Sequence, residues 1–175
     1  MRSWLSRFRT DERGVAAIEM GVIGAMLLVG VLNAVDVGRY AFETGEVNAA
    51  AQAGAQAANV TCDPTKTPAT LNCPELEDAV AAAVAATRLG DGVKLKTPIA
   101  EAYYCLDKNR QLQQVASASS KPANCSGISN ATAAATPTLY LQVEVSHEFE
   151  PLFPGLTLAS RFKPAIVRTS WMRMA

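Results

Sequence analysis

The chain has 175 residues, and sixteen Lys and Arg balance sixteen Asp and Glu. A free-standing nucleic-acid binder normally carries a basic excess, so that class is disfavoured. Aromatic residues make up only 6% and the 49% hydrophobic share is largely alanine, which buries little area per residue and limits the soluble core; one strongly apolar run near the N-terminus excludes a plain cytosolic globule.

Met1 to Arg13 carries Arg2, Arg7, Arg9 and Arg13 against Asp11 and Glu12. Val15 to Val35 is then apolar apart from Glu19 and Asn33. As a helix this run spans about 32 Å, close to the hydrocarbon thickness of a bilayer. The arginines precede it, while Asp36, Glu43 and Glu46 follow with Arg39 alone as a counterweight. That asymmetry predicts a cytoplasmic N-terminus and an external C-terminal bulk. A buried core helix seldom reaches this length without a polar stripe. A cleaved secretory signal has a shorter apolar stretch and a small-residue cleavage site, whereas Asp36, Arg39 and Glu43 follow this one.

Glu19 does not suit a bland anchor. An ionisable group in hydrocarbon costs about 2.5–3.5 kcal/mol and by default needs a partner. Cutting the chain after Gly14 would give Val15 a positive α-amino group about 6 Å along the helix from Glu19. Glu19 of one subunit could then pair with that amine on a neighbour, neutralising both charges and fixing the axial register between helices.

The stretch Arg13-Gly14-Val15-Ala16-Ala17-Ile18-Glu19-Met20 resembles the type IV prepilin processing site, a basic leader ending in Gly followed by an apolar helix with Glu at its fifth position. Arg7-Phe8-Arg9 through Asp36-Val37-Gly38-Arg39-Tyr40, and the tail from Phe149 to Leu156 and from Arg168 to Arg173, are similar to the TadE-like family of minor pseudopilins of Flp (tight-adherence) pili. Met20 stands where that family usually has Phe or Tyr. The resemblance implies a structural, non-enzymatic subunit processed by a prepilin peptidase between Gly14 and Val15. Glu19 would be its assembly residue, and its partners would be other pilins or pseudopilins, the Tad inner-membrane assembly platform and membrane lipid. It also implies a bacterial inner-membrane, single-pass protein with a periplasmic C-terminal domain, reaching a surface pilus or the medium after processing. Gly14 suits a peptidase groove that approaches the backbone closely. Loss of the leader would leave twelve basic and fourteen acidic residues, so apolar helix packing would drive assembly rather than surface charge.

The expected organisation is a leader over 1–14, a transmembrane helix over 15–36, a helical extension over 37–60 and an extracytoplasmic domain over 61–175. The helix is expected to run unbroken from Val15 to Ala58, because the sequence is Ala-rich and lacks proline until Pro64. Small residues recur at four-residue spacing: Ala17, Gly21 and Ala25, then Gly30, Ala34 and Gly38, then Ala50, Gly54 and Ala58. Such rows let helices approach closely in lipid, although a composition rich in Ala and Gly produces them too. For the last triplet, the contact could instead be the chain's own globular domain.

Cys62, Cys73, Cys105 and Cys125 all follow the apolar run and so face an oxidising compartment, where disulfides persist. Three connectivities are possible; the local pairs Cys62–Cys73 and Cys105–Cys125 are favoured, and free buried cysteines are the alternative. Pro74 with Glu75, Glu77 and Asp78 marks a helix start, and Leu76, Val80, Ala83, Val84 and Thr87 form one face before Arg88 and Gly90. Alternation predicts strands at Val93 to Lys96, at Tyr103 to Leu106 and Gln111 to Val115 as a hairpin, and at Thr138 to Phe149 with Leu139, Leu141, Val143 and Val145 inward. Ala116 to Thr138 reads as a loop. Further strands are expected near Leu156 to Phe162 and at Ala165 to Trp171. The fold class is α+β: a long helix, a second helix and a small antiparallel sheet.

Chemistry is not written into this sequence. His147 is the sole histidine, and its parity with Val145 and Phe149 favours a packed position at a strand end. No metal or cofactor site is expected, since the cysteines read as bridges and no other ligand cluster is visible. Glu144 and Glu148 lie about 13 Å apart on one strand, too far for a glycosidase pair. Asn59-Val60-Thr61, Asn124-Cys125-Ser126 and Asn130-Ala131-Thr132 match the glycosylation pattern but would be unused in a bacterium. The rival classes are an uncleaved signal-anchored binding or adhesin module and a secreted enzyme.

Overall fold

A computed structural model describes residues 12–63, 65–126, 128 and 135–174. Most of the leader and the acceptor pattern at Asn130 lie outside the described residues. The chain divides into two compact units. One holds the described residues up to Ala41 together with Glu150–Phe162; the other holds Phe42–Phe149 and Lys163 onward. The first helix, α1 (Glu12–Thr61), contributes to both, and it is unbroken as the absence of proline predicts.

In the first unit, α1 presents an apolar surface with no burial across its most hydrophobic stretch. Residues 150–162 lie against its Asn33 to Tyr40 portion. The expected strand near Leu156 to Phe162 does not form; the segment is an irregular loop ending in a single 3-10 turn at Leu158–Arg161. The reason is local. Pro151 and Pro154 remove two backbone donors, Gly155 turns the chain at φ +81°, and side chains of α1 take the amides of Leu152, Phe153 and Leu158.

The second unit is α+β. After α1 come α2 (Ala69–Asn72) and α3 (Leu76–Ala85). Helix α3 is shorter than the sequence suggested: Pro74 precedes it and Glu75 is its first flanking residue. The strands are β1 (Val93–Leu95), β2 (Ala100–Leu106), β3 (Leu112–Ser117), β4 (Thr138–Glu148) and β5 (Ala165–Arg173). All pairings are antiparallel. Strand β4 is the spine: β5 pairs along one edge, from Tyr140 with Arg173 to Glu148 with Ala165. The other edge is shared end to end, with β1 at Val145 to His147 and β2 at Thr138 to Gln142. The β2–β3 hairpin closes on Asp107, whose Oδ1 accepts the amides of Asn109 and Gln111, both at 2.8 Å.

The core of this unit follows from two periodicities. On α1, Val47, Ala50, Ala51, Ala55 and Ala58 are buried at the three- and four-residue spacing of one helical face. On β4, Leu139, Leu141, Val143 and Val145 are buried at the two-residue spacing of one sheet face. Leu76, Val80 and Val84 of α3 fill the remaining side. Gly54 is the point of closest approach. A methyl built there would lie 3.0 Å from Val84 Cγ2, 3.1 Å from Val80 Cγ1 and 3.2 Å from Val143 Cγ1. The triplet Ala50, Gly54 and Ala58 therefore serves the chain's own domain. Two bridges, Cys62–Cys73 and Cys105–Cys125, match the local pairing; each closes a loop worth about 3 kcal/mol in the chain-entropy picture.

Candidate functional site

The sequence points to the N-terminal part of α1, and its surface there is open. Gly14, Val15 and Glu19 lie in α1, Glu19 about one turn beyond Val15, and all three are exposed. Glu19 makes no ion pair among the described residues. A methyl added at Gly21, Gly30 or Gly38 would meet nothing within 4 Å, and Ala17, Ala25 and Ala34 are likewise exposed. Both triplets are thus open, on different sides of the helix, and no packing among the described residues explains them. Ile18, Met20, Met26 and Leu27 stand out beside them, so the helix is apolar around most of its circumference. Such a helix is compatible with a single-pass membrane anchor.

Above this surface lies a polar clamp that sequence reasoning missed. Asp36 is fully buried. Its Oδ1 accepts the Leu152 amide at 2.9 Å, and its Oδ2 accepts the Phe153 amide at 3.2 Å and the Thr157 hydroxyl at 2.7 Å. Three donors on one carboxylate satisfy it, and the positive charge of Arg39 acts on it as well. Asn33 adds the Leu158 amide at 2.8 Å through its Oδ1 and gives its own Nδ2 to the Val29 carbonyl. Tyr40 and Phe162 close the upper end, with ring centroids 4.7 Å apart. In the sequence Asp36 looked like a charge just past an apolar run. Only its distance of 116 residues from Leu152 hid the role, because nothing local signals a partner that remote.

In the second unit, His147 packs as its parity suggested, but with a partner the sequence did not reveal. Its Nδ1 lies 2.7 Å from the Gly92 carbonyl and its Nε2 3.1 Å from Glu43 Oε2. Both ring nitrogens face acceptors. The Gly92 carbonyl can only accept, so Nδ1 is the donor there, and Nε2 meets the Glu43 carboxyl. Both side chains are largely enclosed, so this contact braces α1 against β4. No group of His, Cys, Asp and Glu suited to hold a metal ion occurs among the described residues.

Comparison with protein-family profiles, with curated proteins and with solved structures gives no match to this chain.

Proposed function

We propose that the chain is a minor pseudopilin, a structural and assembly component of a Flp (Tad) type IV pilus or a related secretion system. A prepilin peptidase removes residues 1–14, and the helix beginning at Val15 joins other pilins on the Tad inner-membrane platform. The observation that carries this reading is that Gly14, Val15 and Glu19 are exposed on the same helix as an apolar span with no burial. Within lipid a lone carboxylate requires a partner, and the new α-amino group of a neighbour offset by about 6 Å along the helix axis supplies one. The N-terminus stays in the cytoplasm by the arginine count, and the disulfide-bonded domain faces the periplasm, where such bridges persist.

Mass spectrometry of the protein from cells with and without the peptidase tests the processing step. Loss of residues 1–14 only when the peptidase is present is the expected result. An intact N-terminus in the working protein would overturn the reading and favour an uncleaved signal-anchored binding module. Glu19→Ala tests assembly separately: insertion and cleavage should proceed normally while co-purification with the filament machinery is lost. Incorporation at the parental level would remove Glu19 from its role.

A further inference from the structure

Residues 150–162 have an unusual surface for a loop. Leu152, Leu156 and Leu158 are 53%, 65% and 60% exposed. Most of the loop's amides, by contrast, are bonded within the protein. The amides of Leu152 and Phe153 end on Asp36 and that of Leu158 on Asn33. The Gly155 amide reaches Ser160 Oγ at 3.0 Å. The amides of Leu156, Ser160 and Phe162 bond within the loop, to the carbonyls of Phe153, Thr157 and Ala159. Pro151 and Pro154 have no amide to satisfy. A loop in water has no need to internalise so many donors, because solvent serves them. A loop that leaves water must do so, since each unpaired group costs several kcal/mol in hydrocarbon.

The level of this loop along α1 points the same way. A span that begins at Val15 runs out near Val35 after about 30 Å of rise. Leu158 is fastened to Asn33, inside that span, and Leu156 and Leu158 line a cleft of about 410 Å³ with Val29, a full turn deeper. Arg161 borders the same cleft; its apolar stem can lie along the leucines while its guanidinium reaches a phosphate.

We propose that residues 150–162 form an interfacial foot, seating Leu152, Leu156 and Leu158 in the headgroup–acyl boundary of the bilayer that α1 enters, with Arg161 on a lipid phosphate. This inference rests on the membrane-anchoring part of the proposed function, not on pilus assembly. The foot fixes how far α1 sinks, because its leucines stop at the boundary while Asp36 holds the loop to the helix.

Nitroxide labels test it in the full chain, with both native disulfides oxidised, in vesicles of phosphatidylethanolamine and phosphatidylglycerol. Labels are introduced singly through Leu156→Cys, Leu158→Cys, Met26→Cys and Leu71→Cys, all at exposed positions. Collision rates with oxygen, which enters lipid, and with a polar nickel chelate, which does not, are then compared. The expected result is a several-fold higher oxygen-to-nickel ratio at 156 and 158 than at 71, approaching that at 26. Ratios at 156 and 158 equal to that at 71, with 26 still in lipid, would overturn the foot and leave the anchor standing. Aqueous behaviour at 26 would overturn the anchor and the foot together. Shielding of 156 and 158 from both reagents would show a protein covering, such as a second copy, and would also overturn the proposal.

Discussion

From Val15 to Val31 helix α1 exposes Ile18, Met20, Met26 and Leu27, whereas from Val47 to Ala58 it buries Val47, Ala50, Ala51, Ala55 and Ala58. Both stretches are rich in alanine and glycine, and both carry small residues at four-residue spacing. The difference lies in what accompanies the small residues. In the later stretch, Asn48, Gln52, Gln56 and Asn59 supply a polar, exposed face, so the apolar face has one direction in which to pack. In the earlier stretch, apolar residues surround the helix, and one chain cannot cover all its sides. Spacing alone therefore does not say who the partner is; the polarity of the opposite face does.

The sharpest way to break this contrast is to place the same charge in both stretches. Val47→Asp buries an unpaired carboxylate between α1 and the sheet and should destabilise the second unit by about 3–5 kcal/mol, read as a fall in its thermal midpoint. Val22→Asp should leave that midpoint unchanged and lower membrane insertion instead, at a cost of about 2.5–3.5 kcal/mol. Equal midpoints for the two variants would end the distinction.

Asp36→Ala strips the acceptor from two amides and a hydroxyl at once. The loop should open locally by about 3 kcal/mol, so the Leu152 and Phe153 amides should exchange with deuterium roughly a hundredfold faster. Gly54→Ala forces a methyl against Val84, Val80 and Val143 and should cost about 1–3 kcal/mol. Gly45→Ala meets open space and should stabilise by about 0.5–1 kcal/mol, the helix-propensity gain alone. Chemical denaturation of the two variants side by side measures the difference.

The smallest effect concerns Asp63, just past the end of α1. The Thr65 amide and then the Thr65 hydroxyl hold its carboxyl below the ordinary aspartate range. A depressed folded value stabilises at neutral pH, and that contribution disappears as pH falls through the folded value. Asp63→Ala should therefore lower the thermal midpoint slightly at neutral pH and match the parent in acid. Because the group is exposed, the shift should be far smaller than that from Asp36→Ala.

Much of the second unit was legible because its elements obey local rules. The alternation from Leu139 to Val145 gave β4 and its inward face, and the valines of α3 gave the buried side of that helix. The proximity of Cys62 to Cys73 and of Cys105 to Cys125 along the chain favoured the two bridges. The misreading at Leu156 to Phe162 has an equally local explanation. Alternating Leu residues resemble a strand when the destination of their amides is unknown, and here Asn33 and the loop itself receive them.

The sequence by itself determined the long uninterrupted helix, because alanine favours helix at every position and no proline intervenes before Pro64. It also determined the apolar span, since length and hydropathy belong to consecutive residues. Tertiary structure alone decided that Asp36 is a buried clamp rather than a flanking charge, that Glu43 meets His147, and that Gly54 is where α3 and β4 close on α1. Each of these joins positions far apart in the chain, and the free energy of such a contact depends on where folding places the second partner, which no local pattern encodes.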